Sequence, residues 1–282
     1  MGRAVADPTP RRPARGRTPV TTPRNDARSG SVISTMMAVL RCFDTERRHL
    51  GVVEIAEATG LHKSSISRLM TTLESERLVE RDPVTRRYSL GLGLLSVAGT
   101  LLADLDVRRA AYPVLVELEQ RTQESCSLMV WTGDESVCVE QVPSSQTIKH
   151  TTAIGTTYGT TASSSVKTFL AELAPARVES LLADSRLELQ GHRSHRQLHD
   201  DLDRVVRDGV AVNDGETDPA EVGVSAVTRD HRGVAVAAVL VSAPRYRTGG
   251  ERLARLAEDC RWAAAEITRG LGGETPSRAV SG

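Results

Sequence analysis

The sequence predicts an α+β protein of two domains: a winged helix-turn-helix, a linker helix, and a larger domain with an antiparallel sheet and flanking helices. Residues 31–91 hold three short amphipathic segments followed by two short β-rich runs. Residues 106–272 hold strand pairs flanked by helices, without the alternation of strand and helix that builds a parallel sheet. A chain of 282 residues is long enough to bury a core in each of two domains.

The charges are balanced overall but unevenly placed. With 36 basic and 36 acidic residues, the protein has no net field that would attract nucleic acid or membranes. Residues 1–30 nevertheless contain seven Arg and two Asp, together with five Pro and few apolar residues. Such a segment cannot bury enough apolar surface to offset its ordering entropy, so it is predicted to be a disordered basic tail. Its arginines could contact DNA phosphates or serve no function, and residues 273–282 are predicted to form a second flexible tail.

The sequence carries no segment typical of export or of membrane insertion. No apolar run has the length of a signal peptide core, and none approaches the roughly 20 apolar residues of a membrane span. We therefore expect a cytoplasmic protein without membrane contact. The four cysteines lack C-x-x-C spacing, and in a reducing compartment this predicts small buried hydrophobic residues rather than disulfides or zinc ligands.

Two short helices begin the front domain, over about 31–43 and 52–59. Apolar residues recur in both at helical spacing, and Gly60 can end the second because glycine tolerates a positive φ. The residues predicted to point inward are Met36, Val39, Leu40 and Phe43 in the first helix and Val53, Ile55 and Ala56 in the second.

The third helix lies within 61–79 and is the predicted DNA-recognition element. Ile66, Leu69, Met70 and Leu73 fall on one apolar stripe, and short hydroxyl side chains and two cations gather on the other side. A helix in a major groove needs short side chains where its backbone comes close and donors toward bases and phosphates. Ser and Thr also occupy ordinary solvated faces and N-caps, which is the alternative explanation. The predicted DNA contacts on this helix are Lys63, Ser64, Ser65, Ser67, Arg68 and Thr71.

Two short strands over 78–90, joined by a turn at Asp82 and Pro83, predict a wing. Arg86 and Arg87 stand on it, where long cations can reach sugar-phosphate oxygens beside the groove. The following linker helix, 92–105, is apolar on more than one face through Leu94, Leu95, Ala98, Leu101, Leu102 and Leu105. Such a helix needs a partner, and a second copy of the chain would also double the DNA contacts.

The back domain is predicted to begin with a helix over 108–123 and to end with one over 251–270. Helices are also expected over 167–173 and 196–208. Two hairpins are predicted, one with strands 126–131 and 136–142 and the other turning over 230–233. The predicted inward residues are Ala111, Leu115, Leu118 and Thr122; Leu198, Leu202, Val205 and Val206; and Leu253, Leu256, Cys260, Ala264 and Ile267.

The order of these parts resembles the IclR-type family of bacterial transcriptional regulators over about 32–272. The resemblance implies a dimeric DNA-binding regulator whose back domain is similar to GAF sensor domains and binds a small effector. The segments that carry it are VLRCF (39–43), VVEIAEATGLHKSSISRLMTTLESERLVER (52–81), RRYSLGLGLL (86–95), GTTYGTTASSSVKTFLAEL (155–173), RDGVAVNDGE (207–216) and AAVLVSAP (237–244).

The resemblance also places the effector pocket. The chain departs from the family there, with Val166 replacing a Gly, Asn213 an Asp and Ala226 a frequent Cys. A wall of hydroxyl, amide and methyl groups suits a small, partly apolar ligand, and no cofactor is expected. The pocket residues that the resemblance implies are Ser165, Val166, Asn213, Ala226, Leu240 and Ser242.

Two chemical alternatives accompany this interpretation. Ser164 and Lys167 fit the S-x-x-K spacing of a serine nucleophile and its lysine, although the companion motifs S-D-N and K-T-G do not follow. His192, His195 and His199, followed by two aspartates, have spacings that could hold a metal, although a solvated loop and helix start explain them as well. We expect neither an enzyme nor a metal site.

The function predicted from the sequence is therefore a homodimeric, sequence-specific DNA-binding regulator, by default a repressor, that responds to a small effector. Pairing of the dimer into a tetramer stays open. The alternative is a small-molecule sensor that signals through a protein partner and does not bind DNA.

Overall fold

A computed structural model describes residues 32–44, 47–104 and 106–274, apart from the side chains of 99–106. The tail predicted over 1–30 and almost all of the tail predicted over 273–282 lie outside the described residues. Leu101, Leu102 and Leu105 of the linker helix belong to the part whose side chains are not described.

The front domain is a winged helix-turn-helix, as the apolar spacing predicts. Its elements are helices α1 (Val32–Leu40), α2 (Val52–Thr59) and α3 (Lys63–Ser75) and strands β1 (Val79–Arg81) and β2 (Tyr88–Leu90). The strands pair antiparallel, with Glu80 opposite Ser89. Gly60 ends α2 in the left-handed conformation, at φ 69°, where a side chain would strain the backbone.

The three helices and the wing share one small core. Val39 of α1, Ile55 of α2 and Ile66 and Met70 of α3 are fully buried in it. The inward placement predicted for Val53 is wrong, because that side chain is 44% exposed. Two residues correspond to about 200° around a helix, so Val53 and Ile55 face opposite sides.

Two glycines let the chain cross back over the end of α3. A Cβ on Gly91 would lie 2.3 Å from the carbonyl oxygen of Arg77, and one on Gly93 would lie 2.5 Å from it. The same crossing is held by hydrogen bonds from Gly91 N–H to Leu78 O and from Gly93 N–H to Arg77 O, both 2.9 Å. No side chain larger than hydrogen fits at either position without movement of the backbone.

The linker helix α4 (Gly93–Asp104) is followed by α5 (Asp106–Thr122). Leu92, Leu95 and Val97 are 71%, 60% and 75% exposed in the single chain. Pro113 is the eighth residue of α5, which begins at Asp106, so the proline lies inside the helix and not in its first turn.

A six-stranded antiparallel sheet organises the back domain, in the order β5, β4, β3, β8, β7, β6. Both predicted hairpins are present as β3–β4 and β7–β8. The strands are β3 (Ser125–Trp131), β4 (Ser136–Val142), β5 (Thr157–Tyr158), β6 (Ala211–Asp214), β7 (Glu221–Arg229) and β8 (Ala235–Pro244). The helices are α6 (Ser164–Leu170), α7 (Pro175–Ala183), α8 (His195–Asp208) and α9 (Gly250–Gly270), with a 3-10 turn at Arg245–Arg247.

Helices cover both faces of this sheet. α5 and α9 pack on one face through Leu115, Leu118, Leu256 and Ile267, all nearly or fully buried. α6 packs on the other face through Phe169, with α7 and α8 outside it. The sheet therefore lies between two helical layers, and the α+β class predicted from the sequence is confirmed.

Some elements differ from the expectation. Val206 is 64% exposed, because the inward stripe of α8 runs through Leu198, Leu202 and Val205. The short edge strands β5 and β6 and helix α7 were not predicted, since two to four residues give too little periodicity and only four residues separate α7 from α6. In the part of the chain that the structure describes, no helix is long and apolar enough to cross a bilayer.

Candidate functional site

The side of α3 that points away from the core is open to solvent. All six residues predicted to contact DNA on this helix are exposed. Among the described residues, the side chains of Lys63, Ser65, Ser67 and Arg68 have no hydrogen-bond partner. Their donors are therefore available to an external ligand.

Two other hydroxyls of this face are partly engaged within the helix. Ser64 Oγ lies 3.0 Å from Nδ1 of His62, the residue that precedes α3, and Thr71 Oγ1 donates to Ser67 O at 3.0 Å. Thr71 still presents its methyl group and an acceptor lone pair outward. His62 and the exposed Thr72 complete this face and were not predicted, since a histidine before the helix and a threonine beside its polar stripe carry no motif signal.

The two wing arginines have different surroundings. Arg86 has a φ of 60° and is exposed, and its guanidinium has no partner within the described residues. Arg87 instead places Nη2 2.6 Å from both carboxylate oxygens of Glu54 and donates from Nε to His49 O at 3.2 Å. Arg87 therefore links the wing to α2, whereas the Arg86 guanidinium is unpaired within the described residues.

The wing turn is organised by Asp82. Its Oδ1 accepts the N–H groups of Val84 at 2.8 Å and Thr85 at 2.7 Å, and these bonds hold the pKa of the carboxyl below its usual range. Val84 stands at the tip with 87% of its surface exposed. The turn is thus pre-ordered beside α3 and presents Val84 and Arg86 outward.

The back domain contains a small cleft between its sheet and the start of α6. Hydroxyl groups line most of it, on Tyr158, Ser163, Ser164, Thr217 and Ser242. Asn213, Glu221, Gly223 and Leu240 complete the wall. The atom-free space is about 230 Å³ when the open solvent at the mouth is counted, and the enclosed part has room for little more than one water molecule.

Three of the six predicted pocket residues line this cleft, namely Asn213, Leu240 and Ser242. Asn213 is held in place because its Oδ1 accepts the N–H groups of Glu216 and Thr217, at 2.8 and 3.3 Å. Ser242 Oγ is buried and has no hydrogen-bond partner among the described residues. A buried hydroxyl without a partner is uncommon, which marks it as a group that a ligand would satisfy.

The other three predicted pocket residues point elsewhere. Val166 is fully buried in the core formed by α6, α7 and α8. Ser165 is also fully buried, and its hydroxyl lies 3.1 Å from that of Ser163. Ala226 faces α5 and α9, because side chains alternate along β7 and the cleft side belongs to Glu221 and Gly223.

The same alternation is the signal that could have found the missed lining residues. In the run from Glu221 to Ala226, the apolar Val222 and Val224 share a face with Ala226. Glu221 and Gly223 must then share the opposite face. Gly223 leaves room for the cleft, since a Cβ there would lie 2.8 Å from Ser164 Oγ.

Lys167 does not serve Ser164. Its Nζ donates to Val212 O at 2.8 Å and to the Glu216 carboxylate at 2.7 Å, and it lies 3.1 Å from Oδ2 of Asp201. The side chain is 1% exposed. An amine bound by two carboxylates is held away from any role as a base for the serine hydroxyl, so the S-x-x-K spacing has a structural explanation.

The three histidines do not converge on one point. His195 Nδ1 and His199 Nε2 each lie 2.7 Å from the Glu179 carboxylate, whereas His192 Nε2 lies 3.1 Å from Asp201. The His192 side chain is only 3% exposed, although it lies in the loop before α8 and its neighbours Gly191 and Arg193 are exposed. Over residues 32–44, 47–104 and 106–274, no group of three potential ligands is arranged to hold a metal. The four cysteines are free and buried, as predicted.

Comparisons with known proteins cover both domains. Residues 36–83 match the IclR helix-turn-helix domain, and residues 99–269 match the family described as bacterial transcriptional regulator IclR C-terminal. The chain is 31% identical to the HTH-type transcriptional regulator Rv1719 of Mycobacterium tuberculosis, over 78% of this chain and 84% of that protein. It is 25% identical to the acetate operon repressor of Salmonella typhimurium, over 92% and 96% of the two chains.

A solved structure has the same fold. It is an IclR homologue from Microbacterium hydrocarbonoxydans complexed with 4-hydroxybenzoate, 22% identical, with a TM-score of 0.72 over 86% of this chain and 99% of that one. The family matches together span most of the described residues of both domains. The chain therefore belongs to the IclR family of bacterial transcriptional regulators, with a DNA-binding helix-turn-helix domain at its front.

Proposed function

We propose that the protein binds a two-fold operator as a homodimer, with α3 of each copy in a major groove and the wing beside it. The observation that carries this proposal is the exposed face of α3, where Lys63, Ser65, Ser67 and Arg68 have no partner within the described part of the chain. Arg68 can make a two-point contact to guanine, and Arg86 can contact a phosphate. Arg87 is left out of the interface because Glu54 holds it.

The exposed apolar residues of the linker support the dimer. Leu92, Leu95 and Val97 do not fit on one helix face, so a single chain leaves apolar surface open on several sides. A second copy would cover this surface. Two dimers could also pair through it to form a tetramer. Two copies would also place two recognition helices on one duplex, at the spacing of a helical turn.

The cleft lined by Asn213, Leu240 and Ser242 is the proposed effector site. A ligand that binds one arrangement of the back domains more tightly shifts the population toward that arrangement, and DNA affinity changes by the differential binding energy. We propose that DNA binding represses transcription, as the name of the Salmonella relative says of that protein. The proposed location is the cytoplasm.

The rival function is a sensor that acts through a protein partner. It would bind an effector in the same cleft but would not protect any DNA sequence. The short hydroxyl and cationic side chains that α3 exposes beside the wing favour DNA binding over this alternative, because they suit the close approach to a major groove and its phosphates.

Selection of bound genomic fragments tests the proposal. The full chain, incubated with sheared DNA of its host at moderate salt, should enrich fragments that share one two-fold site, and footprinting should show protection of both half-sites. A sedimentation measurement on the selected complex should give two or four chains per site. Absence of enrichment over random competitor contradicts DNA binding, and one chain per site contradicts the dimer.

A further inference from the structure

The lining of the cleft has one sign of charge. Glu221 is its only carboxyl group, and no Lys or Arg side chain contributes to the lining. The other ionisable group is Tyr158, and burial raises its pKa to about 12, which keeps the phenol neutral. A ligand in this cleft therefore meets hydroxyls, one amide and one acid.

The buried cation of α6 does not change this balance. Lys167 is bound by Glu216 and lies 3.1 Å from Asp201, so two carboxylates surround its single charge. Arg245, whose backbone N–H bonds to Ala220 O beside Glu221, turns its guanidinium to Asp214 at 2.8 Å. Both cations therefore form ion pairs with acids other than Glu221.

Glu221 is an acid that lacks a strong partner. Burial raises the pKa of its carboxyl, and the opposing effects of His150 and of the Ser242 hydroxyl do not cancel that rise. The neighbouring Asp218 adds to it. Burial thus disfavours the charged form of Glu221, and a cation beside the carboxylate would favour that form again.

Ser242 lies next to this carboxyl. Gly223 pairs with Ser242 across β7 and β8, and Glu221 is two residues from Gly223 on the same face of the sheet. The Ser242 hydroxyl is close enough to the Glu221 carboxyl to lower its pKa, yet Ser242 Oγ has no hydrogen-bond partner of ordinary geometry among the described residues. Both groups can accept, and a third group with several donors would satisfy both of them at once.

We propose that the effector of this regulator is a small primary amine, whose ammonium group is bound by the Glu221 carboxylate and the Ser242 hydroxyl. This inference rests on the proposed function, in which the same cleft is the effector site. An ammonium carries one charge and three donors, which matches one carboxylate and a neighbouring hydroxyl. A carboxylate ligand would place like charges together, so the 4-hydroxybenzoate of the Microbacterium relative is expected to be excluded here.

Calorimetric titration of the full chain without DNA tests the proposal. The probes are three size-matched pairs, namely propylamine and propionate, ethanolamine and glycolate, and benzylamine and benzoate, together with 4-hydroxybenzoate. We expect at least one amine to bind and to bind more tightly than its paired acid. The affinity of that amine should rise with pH while Glu221 ionises, by about tenfold per unit below the raised pKa.

Variants locate the binding. Glu221→Gln should lower the affinity for the amine by at least about tenfold, because it removes the negative charge that binds the ammonium group. Ser242→Ala should lower the affinity for the amine by a smaller factor. This variant still tests the proposal if the Glu221 variant does not fold. The matched control is Glu251→Gln on α9, which removes a 92% exposed carboxylate outside the cleft and should leave amine affinity unchanged.

The outcomes separate this inference from the proposed function. If no amine binds, or if an acid binds more tightly than its paired amine, the inference is overturned. If an acid binds in the cleft and changes operator affinity, the proposed effector role stands without the amine. If an amine binds but no operator is found, the ligand class stands and the proposed function fails.

Discussion

The guanidinium of Arg87, the residue before β2, and the Glu54 carboxylate on α2 face each other, with Arg87 Nη2 2.6 Å from both carboxylate oxygens. Glu54 also accepts the N–H of Gly51 at 2.7 Å, and these two contacts lower the pKa of its carboxyl. One carboxylate thus caps the second helix and fixes the wing. We therefore expect Arg87 to hold the wing in place and not to contact a phosphate.

Replacement of the two wing arginines should give different results. Arg86→Ala should lower the slope of log K against log salt by about one unit, because one phosphate contact is lost. Arg87→Ala should leave that slope unchanged and should instead speed amide exchange in the wing. Glu54→Gln is the matched control and should behave as Arg87→Ala does. An equal loss of slope in both arginine variants would show that Glu54 releases Arg87 to the DNA.

Gly91→Ala should destabilise the front domain. The added Cβ would lie 2.3 Å from the carbonyl oxygen of Arg77, so the backbone must shift, at a cost of about 1 to 3 kcal/mol. Denaturation followed by amide exchange in α3 measures the loss. Gly250→Ala is the control, because a Cβ there meets no atom within 4 Å. Equal stability of the two variants would contradict the close crossing at Arg77.

Lys167→Met should destabilise the back domain, since it leaves Glu216 and Asp201 with an unmatched charge. Removal of one partner from a buried ion pair costs about 3 to 5 kcal/mol, and the lower end applies because both carboxylates are partly exposed. Glu172→Gln is a control that breaks a more exposed pair, with Arg229. Unchanged stability of Lys167→Met would show that the lysine is not needed to hold α6 against α8.

The Asp201 carboxyl should make the back domain sensitive to acid. Its burial opposes ionisation, but the His192 hydrogen bond and the charges of Lys167 and Arg204 outweigh burial and hold the pKa at about 2. Because this value is below that of an unfolded Asp, about 3.9, the stabilisation is complete above that pH and is lost as pH falls toward 2. Denaturant midpoints measured between pH 5 and 2 should fall less in Asp201→Asn than in the natural protein, and parallel curves would contradict the assignment.

Local patterns predicted the elements better than the contacts between them. The apolar spacing and Gly60 predicted α2 with its observed bounds, and the β-rich segments on either side of Asp230 predicted the second hairpin. The pairing of Arg87 with Glu54 joins residues 33 positions apart, and no spacing rule contains it. The position of Ala226 was predictable in principle, because its alternation with Val222 and Val224 fixes its face.

The central claim is that the outward face of α3 reads bases in the major groove. The most direct test compares binding of the natural protein and Arg68→Ala to a selected operator and to each of its single-base-pair variants. The account predicts that Arg68→Ala loses about 1 to 3 kcal/mol of discrimination at one position in each half-site and keeps the rest of the preference. An unchanged preference at every position would contradict the placement of this helix in the groove.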